Sequence, residues 1–457
     1  MRWRRLVIEC TVPAFLAAGD LRLGTAAVKI TPPPGMPMAG YYYHRGAEGV
    51  HDDLWAKALV LEKDGAKAAL VACDLASLSR PVVEEARKLI QAQTGLAGER
   101  VMISATHTHT GPVLLGRTAR DDMAATMLAI AKSYVAGLPA KIAESVQLAH
   151  ARLAPARVWA ASGREDSLAF NRRYFMKDGS VGWNPGKLNP NIVRPAGPID
   201  PVVPVVYFED PQGRPLATYV NYAMHLDTVG GQQFSADYPY TLATLLGKLK
   251  APEMLTVFTI GAAGNVNHID VSTKKPQKGH DEAARIGTVL AGEVLKTYTR
   301  LGPLEPTALN VRHEIVKLPL AEFNPEDLEK ARKTAALYGK PNAAPFLDLV
   351  RAFKVIELAG RNGQPLDAEV QVISLGHELA WVGLPGEIFV ELGQAIKQAS
   401  PFRYTIVAEL ANGSVGYVPN RKAYPEGAYE VVSARCAPGS GEMLVEAAVR
   451  LLRELHK

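Results

Sequence analysis

Two histidines stand two residues apart in the segment Ser104-Ala-Thr-His-Thr-His-Thr-Gly-Pro112, after a short apolar run at 100–105 that reads as a strand. If strand geometry continues, residues i and i+2 point to the same side, so His107 and His109 share a face. The small Thr and Gly neighbours leave room there for a metal or a substrate. Histidines near strand ends also occur without any ligand, so the spacing needs company. Three other places supply it. His225 closes Val220-Asn-Tyr-Ala-Met-His225, just past an apolar strand. Glu387 closes Val382-Gly-Leu-Pro-Gly-Glu387, after a strand and at the start of a helix, where the helix dipole alone would also favour a carboxylate. Tyr417 sits in the glycine-rich turn Asn412-Gly-Ser-Val-Gly-Tyr-Val-Pro419, where packing is the plain alternative. Strand-end groups of type His, His and Glu match a catalytic zinc set with one position left for water. Zinc takes such N/O ligands and lowers the pKa of its water toward neutrality.

Weaker signals surround these. Asp237, in Phe234-Ser-Ala-Asp-Tyr238, is either a carboxylate that orients an imidazole or the N-cap of a helix at 238–248. His268 and Asp270 follow strand 255–260 beside Asn267, as polar groups of the site or as a simple loop. His51 is either near the site or a strand cap. The cluster Tyr41-Tyr-Tyr43 lines a substrate mouth or packs a loop.

The elements that must position these groups alternate in kind. A strand at 23–29 is followed by a hairpin at 54–62 and 66–73, a helix at 81–94 and the strand at 100–105. A helix covers 124–145, and the Gly-, Pro- and Asn-rich stretch 164–201 reads as a long loop. A second hairpin at 202–208 and 215–221, strand 255–260, helix 281–300 and strand 304–316 come next. Helices at 324–337 and 345–352 form an insertion before strands 370–375 and 378–384 and helices 388–398 and 441–455. Strand–helix–strand order predicts an α/β (mixed α+β) fold: a central mixed β-sheet system flanked by helices, in a single large domain over 21–457. The 457 residues, 47% hydrophobic, are enough for a sizeable core, although the length alone would also allow more domains. A net charge of +5, spread along the chain with no long Lys/Arg run, gives no support for nucleic-acid binding.

Together these pieces resemble the catalytic N-terminal region of the neutral/alkaline (non-lysosomal) ceramidases. The matching segments are Gly24-Thr-Ala-Ala-Val-Lys-Ile-Thr-Pro32, Met38-Ala-Gly-Tyr41, Gly49-Val-His-Asp52, the HTHTGP segment, Phe170-Asn-Arg172, Gly261-Ala-Ala-Gly-Asn-Val266, Leu384-Pro-Gly-Glu387 and Gly416-Tyr-Val418, in family order. The resemblance implies Zn2+ held by His107, His225, Glu387 and Tyr417, with His109 and Arg172 in the substrate site. Ceramidases carry a serine, credited with catalysis, where the turn Gly264-Asn-Val-Asn267 has Asn267. Water activated by the metal is then the natural attacking group on an N-acyl bond, and the Asn267 amide can donate to the developing oxyanion or close its own turn. An ester or lactone hydrolase on the same zinc site, or a ligand-binding member without catalysis, are the alternatives. The expected substrate is a small-molecule or lipid-like N-acyl compound, as in sphingolipid metabolism. The chain stops soon after a helix and is expected to lack the family's C-terminal immunoglobulin-like domain.

Residues 1–20 resemble a secretory signal: Met1-Arg-Trp-Arg-Arg5 is basic, and an apolar run to Ala18 follows, interrupted by Glu9 and Pro13. This gives a secreted or periplasmic expectation, with an N-terminal extension on a cytoplasmic protein as the alternative. No stretch is long and apolar enough to be a transmembrane segment. Three cysteines cannot build a disulfide framework; removal of a signal would leave Cys73 and Cys436, one bridge at most.

Overall fold

The computed structural model describes residues 21–114, 125–340 and 344–457, so the expected signal at 1–20 lies outside the described residues. Three mixed sheets carry the fold. The first runs Val101–Ala105, Ala66–Cys73, Trp55–Lys63, Arg22–Lys29 and Ala154–Pro155 in spatial order. The second runs Leu255–Ile260, Pro215–Tyr222, Val202–Glu209, Arg157–Arg164 and Gly302–Pro303. The third runs Leu309–Leu318, Leu366–Leu375, Leu379–Gly383 and Tyr404–Ala408.

Each sheet is antiparallel except at one edge. There, Ala66–Cys73 pairs in parallel with Val101–Ala105, Pro215–Tyr222 with Leu255–Ile260, and Leu379–Gly383 with Tyr404–Ala408. A parallel pair cannot be joined by a tight turn and needs a crossover. The crossovers contain the helices Arg80–Thr94, Tyr238–Leu249 and Val390–Ala399. The local sequence stops and starts them. In the first, Pro81 occupies the opening turn and Gly95, at φ +73°, closes the end by donating its N–H to the Gln91 carbonyl.

Both faces of the sheets are covered, which is why their strands read as nearly continuous apolar runs. In Trp55–Lys63, Leu59 and Leu61 pack toward the other two sheets, in a core that includes Tyr219, Val257, Trp381 and Ile406. The alternate residues Ala58 and Val60 face a second core shared with helices such as Ala125–Ala151 and His280–Tyr298. The third sheet packs its other face on Val390–Ala399 and Ser440–Leu455. A small separate cluster, Ala331, Ala335, Ala352, Phe353 and Val355, holds the helical insertion Asp327–Ala335 and Phe346–Gly360 together.

The expected mixed α/β architecture is therefore present. Residues 164–201 differ from the expected loop: Arg173–Met176 pairs with both Val181–Trp183 and Ile192–Pro195 in a small three-stranded sheet. Strands of three or four residues are too short to show a period in the sequence. Cys73 and Cys436 are both buried as free thiols, so the single bridge left open above is not made. Among the described residues no helix is long and apolar enough to cross a membrane.

Candidate metal centre

The three parallel edges point their C-terminal ends at one place, which is where mixed α/β sheets commonly gather ligand-binding groups. His107 follows Ala105, His225 follows Tyr222, and Glu387 follows Gly383. Strand geometry does not continue to the first histidine. His107 has φ +77°, and its N–H donates to the Leu75 carbonyl at 2.8 Å. A non-glycine residue in this region is strained, and such strain collects at functional sites. The bend nevertheless leaves the His107 and His109 Nε2 atoms 3.3 Å apart.

Both ligand-type histidines are oriented by backbone carbonyls. His107 Nδ1 lies 2.6 Å from the Ala76 carbonyl and His225 Nδ1 lies 2.9 Å from that of Ala263. Each Nδ1 must carry its proton to make that bond, so each Nε2 presents a bare lone pair. Glu387 Oε2 stands 3.4 Å from both Nε2 atoms. No hydrogen bond satisfies His225 Nε2 or Glu387 Oε2, although both are buried. The two imidazole rings are 4.6 Å apart by centroid. Burial, Arg172 and His107 push the His225 imidazole well below its ordinary pKa.

A buried cluster of bare nitrogen and carboxylate lone pairs at this spacing is costly unless something electropositive sits among them. The donor set fits zinc, which accepts His nitrogen and Glu oxygen together. His109 is close enough to compete: ligand nitrogens of His107, His109 and His225 all lie within 4.8 Å of one another. The spacing of the two histidines left a metal or a substrate open, and the resemblance placed His109 in the substrate site. Burial lowers the His109 pKa to about 4 despite the nearby Asp227 carboxylate, so its ring is neutral near pH 7.

Tyr417 pairs in parallel register with Glu387, so one short ladder carries both. Its hydroxyl accepts a hydrogen bond from Arg172 Nη2 at 3.1 Å. Burial and the Glu387 carboxylate push that phenol far above its ordinary pKa. Arg172 is itself held by Glu430 at 2.8 Å and by the Gly264 carbonyl at 2.6 Å. Five of the expected residues, His107, His109, His225, Glu387 and Tyr417, are thus brought together, with Arg172 behind the tyrosine.

Asn267 makes its hydrogen bonds outside that group. It lies one residue beyond Val266, whose carbonyl accepts the His225 N–H, but its own side chain is committed elsewhere. Its Oδ1 accepts from Ile269 N–H at 3.0 Å and its Nδ2 donates to Asn184 at 3.1 Å, leaving one Nδ2 hydrogen. Asp237 is a helix cap: it accepts from Tyr238 N–H and also from the N–H groups of Thr228 and Val229, which fixes the loop after Asp227. His268 bonds the Gln277 carbonyl, and Asp270 closes a turn through Ser272. His51 pairs with Asp52 and stacks on His280.

The centre opens into a cavity of about 170 Å³ whose walls include His107, His109, Glu387 and Tyr417. Tyr41, Tyr42, Tyr43 and Tyr338 form its aromatic rim, so the tyrosine cluster lines the mouth. Gly40, at φ +99°, lets the rim close over the floor: any Cβ there would lie 2.7 Å from the His109 carbonyl oxygen. Sequence reasoning missed two acids beside the centre, one half-buried and one wholly buried. Asp227 lies 3.5 Å from His109 Nδ1 and accepts from the Tyr41 hydroxyl. Glu409 follows strand Tyr404–Ala408 and is wholly buried. A lone charge closing an apolar strand was its only signal, the same one that marks His225 and Glu387.

Residues 21–176 match the family model described as neutral/alkaline non-lysosomal ceramidase, N-terminal. The neutral ceramidase of Pseudomonas aeruginosa is 24% identical over 519 residues, an alignment that spans 98% of this chain and 76% of that protein. The crystal structure of neutral ceramidase from Pseudomonas aeruginosa superposes with a TM-score of 0.74 at 21% identity, covering 96% of this chain and 74% of that one. A ceramidase complexed with C2 gives 0.71 at 20% identity, with 95% and 75% coverage. These structural likenesses establish a shared fold.

Proposed function

Because the chain belongs to the neutral/alkaline non-lysosomal ceramidase family, we propose that it is a zinc-dependent hydrolase that cleaves the amide bond of a lipid-like N-acyl substrate. The observation that carries this reading is the trio His107 Nε2, His225 Nε2 and Glu387 Oε2, with the carboxylate oxygen 3.4 Å from both nitrogens and no hydrogen bond made by His225 Nε2 or Glu387 Oε2. His107, His225 and Glu387 would hold the ion, with Tyr417 as a weaker fourth group. A zinc ion held there supplies Lewis-acid polarisation of an acyl oxygen and a water acidic enough to ionise near neutral pH.

The remaining work falls to the chain itself. The Ala76 and Ala263 carbonyls keep both imidazoles in the tautomer that offers Nε2. Arg172 anchors the Tyr417 hydroxyl beside the Glu387 carboxylate. His109 presents a neutral imidazole beside the centre, and the aromatic rim excludes water from the apolar part of the substrate. Asn267 replaces the family's serine; its free Nδ2 hydrogen is the donor that would meet a developing oxyanion. A leader at residues 1–20 would place the enzyme outside the cytoplasm.

The test is metal analysis of protein purified without added zinc, joined to a screen of N-acyl, ester and lactone substrates with and without chelator. One zinc per chain with chelator-sensitive amide cleavage supports the reading. Hydrolysis of esters or lactones alone moves the activity to another bond class on the same site. Absence of bound metal together with absence of turnover leaves a ligand-binding protein.

A further inference from the structure

Glu409 has no part in the chemistry described above, yet it touches both turns that carry the ligands. It is fully buried at the end of strand Tyr404–Ala408. Its Oε2 accepts the Ile388 N–H at 2.6 Å and the Ala263 N–H at 3.2 Å. Ile388 adjoins Glu387, and Ala263 is the residue whose carbonyl fixes His225 Nδ1 at 2.9 Å. The same two turns are tied directly by Gly264 N–H to the Ile388 carbonyl, at 2.7 Å. One carboxylate oxygen therefore spans the turn that presents Glu387 and the turn that orients His225.

The other oxygen, Oε1, is buried without any hydrogen-bond partner. An orphan polar atom in the interior lowers stability, and well-packed apolar side chains often replace buried charged groups without loss. Stability alone is a poor reason for an acid here. We propose that Glu409 is a positioning residue for the metal: it sets the separation of Glu387 Oε2 from His225 Nε2 and keeps the latter aimed at that oxygen. This rests on the zinc reading. No proton transfer is assigned to Glu409; its effect passes through the two ligands it braces.

The fold supplies its own control. Asn221 Nδ2 bridges the Thr259 and Val407 carbonyls, each at 3.1 Å, and so links the strands Leu255–Ile260 and Tyr404–Ala408 without touching either ligand turn. Apo forms of the wild type, Glu409→Ala, Glu409→Gln and Asn221→Ala are titrated with zinc against a chromophoric chelator, and their apo melting temperatures are recorded. Loss of a group that braces a metal ligand weakens binding about 10- to 100-fold, which is the result expected for Glu409→Ala. Glu409→Gln keeps a carbonyl oxygen for both N–H groups and should bind like the wild type. Asn221→Ala should melt earlier with unchanged affinity. If Glu409→Ala binds zinc as tightly as Asn221→Ala, the acid is only a staple and the proposal falls. If Glu409→Ala does not fold, Glu409→Asp, which withdraws the carboxylate by one methylene, must weaken zinc binding or the proposal falls likewise. A wild type that binds no zinc overturns the metal centre itself, a failure distinct from that of Glu409.

Discussion

The floor and the rim of the cavity are built in different ways. The floor groups, His107, His225 and Glu387, each extend from the end of a strand in a different sheet, and the sheets share one apolar core. The two imidazoles are fixed by backbone carbonyls and are buried. The rim is made of the loop carrying Tyr41, Tyr42 and Tyr43, together with Tyr338 from the helical insertion. That insertion has its own small cluster, against which Tyr42 and Tyr338 pack. Preorganisation at the floor suits chemistry, where a displacement of about 1 Å can cost about 100-fold. Aromatic side chains on a separate scaffold suit substrate selection, because they can change without disturbing the floor.

The largest effects are expected at the floor. His107→Ala and Glu387→Ala should abolish turnover and metal retention while leaving the fold, because strand-end side chains add little to the apolar core. Metal analysis and circular dichroism check both halves of that statement. A variant with full zinc and full rate would remove that residue from the ligand set. His109→Ala sharpens the same point: retained zinc with lost turnover makes it a substrate group, and lost zinc makes it a ligand.

Chelation comes next. Metal bound only by the folded state adds about 2.7 kcal/mol of stability at a hundredfold excess over its Kd. Stripping the ion should therefore lower the melting temperature, and readdition of zinc should restore it. A melting temperature indifferent to chelator would mean that the buried lone pairs at the floor are not held together by an ion.

Asn267→Ala should cost less than loss of a metal ligand. Removal of one oxyanion donor costs on the order of 10²–10³ in rate. The structure sharpens the alternative, since the side chain also closes a turn at Ile269 and reaches Asn184. Reduced turnover at unchanged melting temperature supports the donor. A lower melting temperature with unchanged turnover per folded molecule makes Asn267 a turn residue. Asn267→Ser should not by itself produce ceramidase activity.

The smallest effect is expected at the rim. Tyr338 packs edge-on against His44 with ring centroids 4.6 Å apart. Tyr338→Ala should raise KM by about fivefold, for about 1 kcal/mol of aromatic contact, with kcat little changed. Acyl-chain preference should shift with it. A collapse of kcat instead would couple rim and floor, and the contrast between them would fail.

The sequence by itself singled out the groups at the floor. His107, His225 and Glu387 stood out because each follows an apolar run, but that pattern also has structural uses, and it was the resemblance to the ceramidases that joined them into one ligand set. It also determined the mixed α/β class, through the alternation of strands and helices. Glu409 and Asp227 were not legible, because a single acid after a strand has the same local pattern whether it faces water or a neighbouring turn. The small sheet inside 164–201 escaped for want of length. Only the tertiary structure decided that the three parallel edges converge, that His107 bends to φ +77° and still meets His109, and that Asn267 closes its turn with its oxygen and reaches Asn184 with its nitrogen. Local pattern records what each segment can do alone; the cluster of bare lone pairs at the centre exists only because strand ends far apart in sequence are brought together by the packing of three sheets.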